Sequence, residues 1–220
     1  MPPALVIFDL DGTLIDSAPD LAAAINTMLA GYGREPLAVA EVRRMVGDGV
    51  AMLVARALAA RDCEPEDPAA AERSFTRHYE SNATSLTTVF PGAVRALQAL
   101  SAAGIALAVC TNKPARLAAG ILDSLGLAGY FARVIGGDSL PFRKPDPRML
   151  LSLLEAFGVG PEGSLLVGDS EVDAATARAA GMPFVLMKHG YRRGPAAEIP
   201  CSAALESFAE LPAVVGVPLP

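Results

Sequence analysis

A chain of 220 residues, 52% hydrophobic and 19% charged, has material for one sizeable core or a core with a smaller inserted unit, and is too apolar for disorder. Its net charge of −6, without a long basic run or basic–aromatic interleaving, excludes a general attraction to nucleic acid or to an anionic membrane. The three cysteines, Cys63, Cys110 and Cys201, are far apart and form no CxxC pair, so they read as reduced thiols.

The N-terminus runs straight into Leu5-Val6-Ile7-Phe8, with no basic leader ahead of it. No segment has the uninterrupted apolar length of a membrane helix, so a cytoplasmic protein with no membrane partner is expected. Ala4–Phe8 predicts a first buried strand. From about Ala18 to Thr88 the signals are helical. Leu21, Ile25, Met28 and Leu29 recur at helical spacing, and Ser17 with Asp20 resembles a capping box ahead of them. Val50–Ala60 and Ala69–Ser81 predict two further helices, and Pro36 and Gly47-Asp48-Gly49 punctuate the region.

Beyond it, strands and helices alternate. Ile105–Cys110, Arg133–Ile135, Ser164–Val167 and Pro183–Met187 read as buried strands, with little polar alternation. Ala93–Ala103, Ala115–Leu125, Pro147–Phe157 and Asp173–Ala180 read as helices, each followed by a glycine stop. The expectation is an α/β fold: a doubly wound, Rossmann-like parallel sheet (1–16 and 89–220) with an inserted α-helical cap domain (17–88).

The chemistry gathers where strands end. Asp9-Leu10-Asp11-Gly12-Thr13 directly follows the first strand, on the edge where open α/β sheets bind ligands. Asp-Gly alone is an ordinary turn. Two carboxylates two positions apart repel unless one is protonated or a cation lies between them, and Mg2+ suits oxygen ligands. Thr111 and Asn112 follow the second strand of the core with a hydroxyl and an amide that can bind phosphate oxygens. Lys144, in Arg143-Lys144-Pro145-Asp146-Pro147, is a point charge on a loop stiffened by prolines. Asp169 follows a fourth strand as a further metal ligand. Asp173 enters the next helix, where it can hold Lys144 from behind. His78 and His189 match no metal spacing, although His189 is placed to rim the site.

These motifs, in this order, resemble the haloacid dehalogenase-like superfamily over the whole chain. Within it the chain is most similar to the bacterial phosphoglycolate phosphatases, through Val46-Gly47-Asp48-Gly49, Phe90-Pro91-Gly92, Gly137–Leu140 and Gly190-Tyr191. The resemblance implies Asp9 as nucleophile and metal ligand, and Asp11 as general acid and base that also binds Mg2+ through its carbonyl. It further implies Thr111 and Lys144 as the phosphoryl clamp and Asp169 as a Mg2+ ligand. The chain departs from the family at Glu171 and Val172, where related phosphatases often carry Arg and Asn. The implied partner is a small phosphorylated metabolite, 2-phosphoglycolate first, with sugar phosphates or pyrophosphate as alternatives, acted on by a monomer or homodimer. A carboxylate substrate needs a cationic or amide group from the cap, and Arg43, Arg44 and Gly47 are the candidates. A non-catalytic phospho-acceptor is the competing class; the helical insertion and the Asp9-x-Asp11 spacing speak against it.

Overall fold

Leu5-Val6-Ile7-Phe8 has no polar side chain to turn toward water. In the computed structural model, which describes residues 2–217, it forms β1 (Leu5–Phe8), fully buried in a six-stranded sheet. A two-residue strand, β2 (Ile15–Asp16), leads into four helices, α1 (Ala18–Gly31), α2 (Val39–Arg43), α3 (Val50–Ala59) and α4 (Pro68–Asn82). The chain returns through β3 (Thr88–Val89), which pairs antiparallel with β2 and closes the base of this helical insertion.

The rest alternates as the pattern predicts: α5 (Ala93–Ala102), β4 (Ala106–Cys110), α6 (Ala115–Ser124), β5 (Arg133–Ile135), α7 (Arg148–Phe157), β6 (Ser164–Gly168), α8 (Glu171–Ala180), β7 (Phe184–Met187), β8 (Ala203–Leu205) and α9 (Leu211–Val214). The strand order is β5-β4-β1-β6-β7-β8, with every neighbouring pair parallel. Along β1 the side chains alternate between two layers. Val6 and Phe8 pack with α5, α6 and the insertion, while Leu5 and Ile7 pack with α7 and α8. Both faces are dry, which is why the strands read as unbroken apolar runs.

One strand has no counterpart in the sequence reading, and one sequence expectation changes. β8 carries no strong strand signal in Ala203-Ala204-Leu205; it is a strand because β7 offers an unpaired edge. The capping box at Ser17 and Asp20 does not form, although Ser17 does stand at the N-cap of α1. Ser17 instead donates its hydroxyl to Asp11 Oδ1 at 2.6 Å. Asp20 is buried and accepts from the Leu86 and Thr87 amides and from the Thr87 hydroxyl at 2.7–3.0 Å. Long-range donors outcompete the local cap because each would otherwise be buried or half-buried without a partner.

Asp20 therefore ties the end of the insertion to its beginning. Asp20→Ala is expected to cost about 2–4 kcal/mol in urea unfolding, since it strands three donors at once, and Asp20→Asn should recover part of that loss.

Candidate active site

The strand register sets the site. Phe8 lies level with Val109 of β4 and Val167 of β6, so Asp9, Thr111 and Asp169 emerge within one residue of the same height. The chain leaves β1 for β4 and β5, then crosses back to lay β6 on the other side of β1. That reversal opens a crevice at the carboxyl end of β1, and Asp9 stands in it.

Lys144 is buried in the crevice with its Nζ 2.9 Å from Asp9 Oδ1 and 2.7 Å from Asp173 Oδ1. Burial opposes its charge, but Asp173 and Asp9 together outweigh burial and hold the ammonium protonated well above its ordinary range. Asp173 is saturated: its other oxygen accepts from the Ser170 hydroxyl at 2.6 Å and from the Asp169 and Ser170 amides at 3.2 Å. It holds Lys144 from behind, as its helix position predicts. Asn112 fixes the lysine's backbone, donating to Lys144 O at 2.9 Å and accepting from Lys144 N at 2.9 Å. Its second amide hydrogen goes to Gly47 O in the insertion at 2.8 Å. The Asn112 side chain, expected to bind phosphate, has no donor left for a ligand. Thr111 is buried and lines the cavity beside it.

Asp169 accepts from the Thr13 hydroxyl at 2.6 Å and from the Tyr191 amide at 2.5 Å. Gly12 makes this fit possible. It sits at φ +85°, and a Cβ there would stand 2.5 Å from Asp169 Oδ2. Oxygens of Asp9, Asp169 and Asp173 lie within 4.8 Å of one another. Burial pushes the Asp9 carboxyl up to about 6 despite Lys144, and burial with the neighbouring Asp173 and Asp9 pushes Asp169 well up as well. Asp9 Oδ1 is buried without an aligned hydrogen bond. Four carboxylates, Asp9, Asp11, Asp169 and Asp173, face two ammoniums, Lys144 and Lys113, an excess of two negative charges. A hard divalent cation on Asp9 and Asp169 fits this oxygen-rich, under-neutralised donor set.

Asp11 is turned away from that cluster. Its Oδ2 pairs with Lys113 Nζ at 2.9 Å, and its carboxylate borders the cavity. Lys113 is a residue the sequence reading passed over. Adjacent to Thr111-Asn112, it looks like any loop lysine, yet it is buried, donates to the Tyr79 hydroxyl at 2.9 Å, and lies 4.6 Å from the Tyr79 ring centre. Burial pushes the Tyr79 phenol up to about 12, so it stays protonated.

The insertion is seated on the sheet. Besides Asn112–Gly47 and Lys113–Tyr79, Arg193 pairs with Asp48 and Arg116 with Glu80. Glu171 accepts from the Arg193 and Gly194 amides and so presents Arg193 to Asp48. Between sheet and insertion lies a cavity of about 50 Å³ walled by Leu21, Val46, Leu53 and Phe75. The cap candidates divide. Gly47 lines this cavity; Arg43 and Arg44 do not. Arg43 pairs with Asp16 at 2.5 Å, at the entry to the insertion, and Arg44 is exposed. His189 does not line the cavity either; it packs on Phe90 and Phe208, and its Nε2 lies 3.1 Å from Thr13 O.

The family model for haloacid dehalogenase-like hydrolases matches residues 3–181. A phosphoglycolate phosphatase of Rhodospirillum rubrum is 47% identical over 224 residues, covering 99% of this chain and 93% of the relative. One from Cereibacter sphaeroides is 46% identical over 209 residues, covering 94% and 95%. The crystal structure of a "predicted phosphoglycolate phosphatase" from Haemophilus somnus superposes with a TM-score of 0.92 at 33% identity, covering 96% of this chain and 97% of that one.

The raised Asp9 carboxyl gives a pH signature. A carboxyl whose pKa rises on folding takes up a proton on folding, so as an anion it opposes folding. In protein freed of divalent cations, this penalty is absent below about pH 4 and complete above about pH 6. The stability gained by Asp9→Asn is therefore expected to grow over that window, up to about 3 kcal/mol by chemical unfolding in EDTA.

Proposed function

We infer the reaction from one premise: the chain belongs to the haloacid dehalogenase-like hydrolase family. It is a phosphatase for a small phosphate monoester, and the substrate we propose is 2-phosphoglycolate, released as glycolate and phosphate. The observation that carries the reading is the meeting of Asp9, Lys144 and Asp169 at one strand edge, with Asp11 beside them on the cavity. The near-full-length likeness to phosphoglycolate phosphatases supports the substrate.

Residues 17–88 serve as the cap and 1–16 with 89–220 as the phosphatase core. Mg2+ is the proposed cofactor, held by the Asp9 and Asp169 carboxylates and by the Asp11 carbonyl. When bound, it neutralises the carboxylate cluster and draws charge from the phosphoryl oxygens.

The chain's own groups then divide the work. Lys144 and the Thr111 hydroxyl hold the phosphoryl oxygens, where the loose transition state carries its charge. An Asp9 carboxylate oxygen attacks phosphorus as the bond to the glycolate oxygen breaks, giving an aspartyl-phosphate. Asp11, having taken a proton from solvent as the anionic substrate enters, passes it to that leaving oxygen. It next takes a proton from the water that attacks the intermediate, which frees phosphate and restores Asp9. Lys113 holds the Asp11 carboxylate in place for both transfers. The seated cap keeps bulk water from the intermediate.

Asp9→Asn is expected to remain folded and to lose phosphate release from 2-phosphoglycolate by on the order of 10⁴-fold or more. Retained turnover in a folded Asp9→Asn protein would sink the nucleophile assignment. Chelation should abolish phosphate release and added Mg2+ should restore it. In a panel of phosphoglycolate, sugar phosphates, nucleotides and pyrophosphate, the highest kcat/KM should fall on phosphoglycolate.

A further inference from the structure

A two-carbon acid phosphate is anionic at both ends. The phosphoryl end belongs with Lys144 and Asp9. The carboxylate end is left in a small cavity with largely apolar walls, where an unpaired charge is costly. The cation expected from the insertion is absent: Arg43 and Arg44 do not line the cavity, nor does the exposed Arg143. Among the described residues, the one cationic side chain that lines it is Lys113.

Its donors are not exhausted. The ammonium has three hydrogens and two side-chain partners, Asp11 Oδ2 and Tyr79 Oη, each at 2.9 Å. Tyr79 accepts from Lys113 and so keeps its own hydroxyl hydrogen to donate. Two donors, one from the sheet edge and one from α4, thus border the same cavity.

Their place beside Asp11 also suits the chemistry. In 2-phosphoglycolate a single methylene separates the leaving oxygen from the carboxylate. The group that protonates the first and the group that binds the second must therefore be neighbours. Lys113 is ion-paired with Asp11, the proposed proton donor.

We propose that Lys113 and Tyr79 form the substrate-carboxylate site, so that the sheet supplies the charge and the insertion supplies the second donor. This rests on the reading of the protein as a phosphoglycolate phosphatase. It replaces the cap arginines as the source of specificity. Because Tyr79 belongs to the insertion, the carboxylate is fully bound only when the insertion is seated.

The test compares kcat and KM for 2-phosphoglycolate and for 2-hydroxyethyl phosphate, which has the same length but a hydroxymethyl group in place of the carboxylate. Full-length wild type, Lys113→Met, Lys113→Arg and Tyr79→Phe are measured with Mg2+, and thermal unfolding checks each fold. Wild type should prefer the acid. Lys113→Met should lower that preference by about 10- to 100-fold, as expected for loss of a charge-assisted bond. Lys113→Arg should restore part of it, and Tyr79→Phe should lower it by about three- to tenfold. If Lys113→Met slows both esters equally, Lys113 only positions Asp11 and the proposal is overturned while the phosphoglycolate reading stands. A wild-type enzyme without preference for the acid overturns both. If Lys113→Met does not fold, Tyr79→Phe decides, and an unchanged preference there sinks the two-donor site.

Discussion

A buried ammonium between two carboxylates organises this protein. Lys144 lies within 3 Å of Asp9 and Asp173, in a setting where any one of the three charges alone would be costly. Its neighbours serve that pairing. Asn112 clamps the lysine's backbone from both sides. Ser170 and two amides fix Asp173. Gly168 leaves the space that Asp173 fills, for a Cβ there would stand 2.5 Å from its carboxyl carbon. The arrangement still leaves the cluster short of positive charge. The raised Asp9 and Asp169 carboxyls are the protein's local response to that shortage, which a divalent cation on the same oxygens would relieve.

The second lysine extends the same logic toward the insertion. Lys113 balances Asp11 and reaches Tyr79, so the Asp11 carboxylate on the sheet is coupled to the position of a helix in the insertion. Asn112 makes a parallel link, touching Lys144 and Gly47 with one side chain. The insertion is therefore tied to the buried charges at the strand ends as well as to the rim, where Arg193 meets Asp48. Glu171 supports that rim contact by shaping the Arg193 loop.

Much of this was legible in one dimension. Strands buried on both faces announce themselves as unbroken apolar runs, because neither side meets water. Helices announce their ends with glycine, and nearly every predicted core element matches its observed span to within a residue or two. Asp9, Asp11 and Asp169 stand out because carboxylates just beyond apolar strands have no packing reason to be there, Lys144 because prolines stiffen its loop, and Asp173 because it enters the helix that follows Asp169. What stayed hidden depends on partners far away in the chain. Asp20 read as a cap residue but serves amides 66 and 67 positions on. Asn112 read as a phosphate ligand but spends its amide on two loops. β8 exists because β7 has an edge to offer.

The sequence by itself determined the sheet, the insertion and the charged groups at the strand ends, because each of these is written in short-range patterns of polarity and spacing. The tertiary structure decided how those charges pair. It took Asp11 from the carboxylate cluster and gave it to Lys113, set Arg43 on Asp16 at the insertion's entry, and made a loop lysine a lining residue of the cavity. The physical reason is that a buried charge is stable only beside its partner, and which partner it meets is settled by how the chain packs rather than by what stands next to it in sequence.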